Sequence, residues 1–106
     1  IETARGLSAL DDVCAVPGLA GVYVGPADLA ITLGENPITA LSAPAVLDAV
    51  ARIKSVAADA GLVPGIHANA GKPGKAMAEM GFQMITLASE SQALRRGAVE
   101  HLREAQ

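Results

Sequence analysis

No tryptophan occurs in the chain, and tyrosine and phenylalanine appear once each, as Tyr23 and Phe82. Because 51% of the residues are nevertheless hydrophobic, the core has to be aliphatic and alanine-rich. Such a core suits helices packed on a parallel sheet. Cysteine is nearly absent as well. Cys14 stands alone, which excludes a disulfide framework and a thiolate metal cluster. Flanked by Val13, Ala15 and Val16, it reads as a buried, inert thiol. Eight Lys and Arg against eleven Asp and Glu leave a net charge of -3, without the basic footprint of a nucleic-acid binder. The acidic pairs Asp11-Asp12 and Glu100 with Glu104 read as solvated helix faces. No apolar run approaches the ~18 residues of a membrane span. No signal peptide is visible either, so we expect no membrane partner and a cytoplasmic location.

What is present is a regular alternation. Three apolar runs read as strands: Ala20 to Val24, Leu62 to His67 and Phe82 to Leu87. Ile1 to Thr3 reads as the tail of a fourth. Between them, Leu7, Leu10, Val13 and Cys14 recur at helical spacing until Pro17-Gly18 ends the pattern. Leu29 to Leu33 reads as a short helix, followed by a loop of about ten residues between Asn36-Pro37 and Ser42-Ala43-Pro44. Val46, Val50, Ile53 and Ala57 form the stripe of a longer helix that Pro44 opens and Gly61 stops. Pro73 opens a further helix ending at Gly81. The last begins near Ser89, with Gln92 at capping-box spacing and a stripe of Leu94, Ala98 and Leu102. Four strand–helix alternations predict a single α/β domain over residues 1–106, with right-handed crossovers and a parallel sheet. The pattern alone fits a half-barrel and a small open sheet equally.

The segment richest in chemistry is Gly21-Val22-Tyr23-Val24-Gly25-Pro26-Ala27-Asp28-Leu29. A buried strand stops at a Gly-Pro turn, and a lone carboxylate follows. The carboxyl ends of parallel strands are where α/β proteins bind ligands. Glu2, in Ile1-Glu2-Thr3, is a second carboxylate at a strand end. Two such carboxylates suit a hard divalent cation, with waters and substrate oxygens completing the octahedron. The plainer reading makes Asp28 a helix cap and Glu2 a solvated end residue. In Gly25-Pro26-Ala27-Asp28 the helix opens with free amides, a setting suited to a carboxylate ligand.

Ile1-Glu2-Thr3 together with Gly25-Pro26-Ala27-Asp28-Leu29 resembles the HpcH/HpaI aldolases, relatives of the citrate lyase β-subunits. The resemblance runs over nearly the whole chain, through Gly81-Phe82 to Ser91. It implies a TIM (β/α)₈ barrel, of which this chain would hold the C-terminal half, four βα units. A full barrel needs roughly 250 residues. The chain also starts at Ile1, within a strand pattern, and a fragment of a longer polypeptide is therefore expected. The resemblance further implies a lyase that cleaves 4-hydroxy-2-oxoacids to pyruvate and an aldehyde through a metal-stabilised pyruvate enolate. Glu2 and Asp28 would hold Mg²⁺, Mn²⁺ or Co²⁺, and Gly25, Pro26, Ala27 and Asp28 would cradle the substrate carboxylate. A citrate lyase β-type enzyme acting on a CoA thioester is the alternative; Pro26 favours the aldolase branch.

His67, in Gly65-Ile66-His67-Ala68, ends the Leu62 to His67 run and could line the aldehyde pocket or serve structure only. The family's acid/base histidine and arginine lie in the first half of the barrel. Neither His67 nor Arg5 matches them, and no general base is assigned. His101 falls off the apolar stripe of the last helix. Gly71-Lys72-Pro73-Gly74-Lys75 fails phosphate-loop spacing, because Ala76 follows Lys75. Ser89-Glu90-Ser91 lacks a nucleophile elbow. Four βα units would also leave sheet edges and a barrel-interior face uncovered. A homo-oligomer is therefore expected, and a catalytically inactive half-barrel that self-associates is the competing reading.

Overall fold

Short β-branched segments cannot satisfy their own backbone groups. In the computed structural model, which describes residues 1–106, three of them pair into a parallel sheet of order β1-β2-β3. The strands are β1 (Gly21–Val24), β2 (Val63–His67) and β3 (Met84–Thr86). Tyr23 pairs with Gly65 and Gly65 with Met84, while His67 pairs with Thr86 two residues nearer the carboxyl ends. The strands are one to three residues shorter than the apolar runs suggest. Phe82 is buried but precedes β3, as part of the turn that feeds it.

The expected fourth strand makes no ladder. Ile1 lies beside β1, its ammonium donating to the Tyr23 carbonyl and its own carbonyl accepting from Gly25 N–H at 3.2 Å. Thr3 then caps α1 (Ala4–Ser8), accepting from Gly6 N–H at 2.9 Å. The pairing of Ile1 holds Glu2 at the carboxyl end of β1.

The first helical pattern is also split, at Ala9, into α1 and α2 (Leu10–Cys14). Helices this short take their axis from packing. Only α2 contributes fully buried residues, Leu10 and Cys14, while Leu7 of α1 packs half-buried against the same core. After β1 come α3 (Pro26–Thr32) and a 3₁₀ segment, Pro37–Ser42, in place of the expected open loop. Asn36 caps that segment through Ile38 N–H at 2.9 Å. Helix α4 (Pro44–Asp59) buries Val46, Ala49, Val50, Ile53 and Ala57, the anticipated stripe with Ala49 added. Helix α5 (Gly71–Met80) begins two residues before Pro73. Pro73 therefore occupies the first turn, where a missing N–H is harmless. Gly61 and Gly81 end α4 and α5 with positive φ of 72° and 106°, and the chain turns directly into β2 and β3. That left-handed closure is why glycine stands at both positions.

Helix α6 (Glu90–Glu104) carries the capping box, with Ser89 and Gln92 bonded reciprocally. It buries no residue, and the apolar stripe expected to pack is exposed, Leu94 at 76% and Leu102 at 65%. The molecule is accordingly elongated, 55 × 29 × 21 Å. Its radius of gyration is 15.6 Å, against roughly 13 Å for a compact chain of this length.

The sheet has two unlike faces. Val22, Val24 and Ile66 lie in the core, in the same cluster as the buried face of α4. Gly21, Tyr23, Val63, Gly65 and Met84 line an open trough on the other side, with Val63 40% and Met84 54% exposed. No helix of the structure is long and apolar enough to cross a membrane.

Candidate active site

The carboxyl ends of β1 and β2 open into a cleft of about 390 Å³ lined by Glu2, Tyr23, Gly25, Pro26, Ala27, Asp28, His67 and Asn69. Every residue singled out from the sequence as a ligand or metal contact is present in it. Ile1, bonded along β1, brings Glu2 in from one side. Helix α3 brings Asp28 from the other, as the third residue after its Gly25 N-cap. The Asp28 side chain makes no capping bond, so the cap role available to it is not taken.

Gly25 shows how close the two carboxylates come. A Cβ built there would lie 2.9 Å from Glu2 Oε1 and 3.2 Å from Asp28 Oδ2. Two carboxylate oxygens thus flank a space that only glycine leaves free. No third His, Cys, Asp or Glu joins them. The set fits a hard divalent cation that keeps several sites for water and ligand oxygens, as Mg²⁺, Mn²⁺ and Co²⁺ do. Beside it, the N–H groups of Ala27 and Asp28 make no backbone hydrogen bond, and that of Leu29 is the first to be taken, by Gly25 O at 3.0 Å.

At the far wall, His67 Nδ1 lies 2.6 Å from Thr86 Oγ1, and the Tyr23 hydroxyl bonds the same oxygen. Tyr23 is on β1 and Thr86 on β3, so the ring must cross β2 to make that bond. It does so over Gly65, where a Cβ would come within 2.9 Å of Tyr23 Cδ2. Cys14 lies elsewhere, buried in α2. Burial, with the Asp11 charge as a lesser cause, pushes its thiol up, away from the thiolate that nucleophilic chemistry uses.

The sequence profile of the HpcH/HpaI aldolase/citrate lyase family matches residues 1–97. The chain belongs to that family. A hydroxypyruvate/pyruvate aldolase of Paraburkholderia phytofirmans is 38% identical over 104 residues, 98% of this chain and 39% of the relative. A hydroxypyruvate/pyruvate aldolase of Rhizorhabdus wittichii is 31% identical over 105 residues, 99% of this chain and 42% of its own length. The solved structure of a family member from Burkholderia cenocepacia superposes with a TM-score of 0.89 at 32% identity, covering 99% of this chain and 40% of that one. The chain therefore spans about two fifths of the relatives it matches, and its α/β fold is that of the same portion of the HpcH/HpaI barrel.

Within this HpcH/HpaI segment, sequence reasoning missed Tyr23, Asn69 and Thr86. Asn69 carried a usable signal: an Asn in the turn between a strand and a helix is a common left-handed residue, and its φ is 62°. Tyr23 and Thr86 gave none, because each reads as an ordinary strand residue and they are 63 positions apart.

Proposed function

We propose that this chain supplies the metal- and carboxylate-binding edge of a divalent-metal-dependent aldolase, a carbon–carbon lyase that cleaves 4-hydroxy-2-oxoacids to pyruvate and an aldehyde. The observation that carries the reading is the pair of carboxylate oxygens, from Glu2 and Asp28, flanking the space above Gly25. When bound there, a divalent cation supplies Lewis-acid stabilisation of the charge that develops on the 2-oxo oxygen as the C3–C4 bond breaks. The chain's own residues do the rest of the positioning. The unpaired amides of Ala27 and Asp28 receive the substrate carboxylate. Pro26, fixed in φ, holds the turn that aims them. His67 lines the side of the cleft that the aldehyde portion would occupy. The relatives' names support pyruvate as the shared half of the reaction and favour this reading over thioester chemistry.

Calorimetric titration of the chain with Mn²⁺, with and without the enolate mimic oxalate, tests the proposal. Oxalate-dependent binding that Asp28→Ala abolishes is the expected result. Binding that survives Asp28→Ala and Glu2→Ala unchanged would remove these carboxylates from the site.

A second reading rests on a separate observation, the open apolar trough around Val63 and Met84. Exposed apolar surface of this kind favours association. In isolation the chain is then a homo-oligomer that buries this face against a second copy.

A further inference from the structure

Three hydroxyl or ring atoms from three different strands meet at one end of the cleft, and the arrangement has a direction. The phenol of Tyr23 is a stronger donor than an alcohol, and an imidazole nitrogen is a stronger acceptor than an alcohol oxygen. The favoured chain therefore runs from the Tyr23 O–H to Thr86 Oγ1, and from the Thr86 O–H to His67 Nδ1 at 2.6 Å. Accepting at Nδ1 puts the ring proton on Nε2. His67 has no other hydrogen-bond partner in the protein, and Nδ1 is turned to β3. Nε2–H is thus the nitrogen left for a ligand in the cleft that His67 lines with Glu2, Asp28 and Asn69.

We infer that Tyr23 and Thr86 lock His67 as an Nε2–H donor that reads an oxygen on the aldehyde-derived end of the substrate. The inference rests on the reading of this cleft as a 2-oxoacid site and adds a specificity to it. Oxygenated chains beyond C3 are preferred over hydrocarbon chains of the same length. Tyr23 and Thr86 are positioning residues that act only through His67. Gly65 belongs to the device, since the Tyr23 ring reaches Thr86 only by passing over a residue without a side chain.

The experiment has two readouts. Long-range ¹H–¹⁵N correlation spectra of the neutral rings report the His67 tautomer, with exposed His101 as internal reference. A single Nε2–H form is expected for His67, relaxing toward a mixture in Thr86→Val and partly in Tyr23→Phe. An Nδ1–H form in the unmodified chain would overturn the proposal. The ligand probes are 4-methoxy-2-oxobutanoate, whose ether oxygen can only accept, and its hydrocarbon analogue 2-oxohexanoate, both with Mg²⁺. The ether should bind about fivefold more tightly, the scale of one neutral hydrogen bond. Thr86→Val should erase that preference while leaving 2-oxohexanoate unchanged. Tyr23→Phe, which removes only an oxygen, covers the case in which the Thr86 variant fails to fold. Equal binding of the two probes overturns the role of His67 alone. Failure of both to bind, with the Nε2–H form intact, overturns the 2-oxoacid reading and with it the ligand role.

Discussion

A methyl group at position 25 is the smallest change that interrogates the carboxylate pair. Gly25 has φ of -98°, which alanine adopts freely, so Gly25→Ala should fold normally. Its Cβ would nevertheless sit 2.9 Å from Glu2 Oε1 and force that flexible side chain aside. Mn²⁺ affinity should fall by about tenfold or more, the scale on which displaced ligand geometry acts, with an unchanged far-UV spectrum. Binding as tight as the parent chain's would mean that the space above Gly25 is not the metal's. Cys14 offers a control remote from the site. Its buried, upshifted thiol should resist a thiol reagent at neutral pH until denaturant exposes it. At this scale the sequence was a partial guide. Glu2, Asp28 and His67 could be placed at one edge because each lies at or just past a strand pattern, and the family resemblance is what paired the two carboxylates. Tyr23 was not, because its role depends on the bare backbone of Gly65, a residue on another strand.

At the scale of elements, periodicity and punctuation carried far. The α4 stripe, the Gly61 and Gly81 stops and the Ser89–Gln92 capping box all stand where the pattern put them. Two consequences separate α4 from α6. Ile53 is fully buried at the centre of α4, so Ile53→Ala should cost about 2–5 kcal/mol in chemical denaturation of the whole chain. Helix α6 has no buried residue to hold it, so its ends depend on local bonds. Ser89→Ala should cost about 1 kcal/mol of helix stability, visible as faster amide exchange in Glu90–Glu104 and nowhere else. Protection lost equally in α4 would show that α6 is coupled to the core. The break at Ala9 was illegible for a related reason. Leu7, Leu10, Val13 and Cys14 have helical spacing whether or not one axis carries them, and only the packing buried Leu10 and Cys14 fully while leaving Leu7 and Val13 at the core's edge.

Across the whole molecule, what is uncovered matters as much as what is packed. The 16 buried residues of the core form one cluster, built around α4 and the helix-facing side of the sheet. The opposite face keeps Val63 and Met84 exposed, and α6 stands away from the body. If a second copy covers the trough, sedimentation at rising concentration should show a dimer. Met84→Glu, which puts a charge on that face, should return it to monomer without unfolding it. A dimer indifferent to Met84→Glu would direct attention to the exposed apolar side of α6 instead.

By itself the sequence determined the alternation of strands and helices, the ends of most elements and the strand-end carboxylates. These are decided by neighbours a few positions apart, where spacing and turn chemistry act directly. Only the tertiary structure decided that Ile1 would lie along β1 and carry Glu2 toward Asp28, and that β2 would present a glycine under Tyr23. It alone also showed the apolar stripe of α6 exposed. Those outcomes depend on strand register and on which surfaces meet, and residues 22 to 63 positions apart carry no local signal of either.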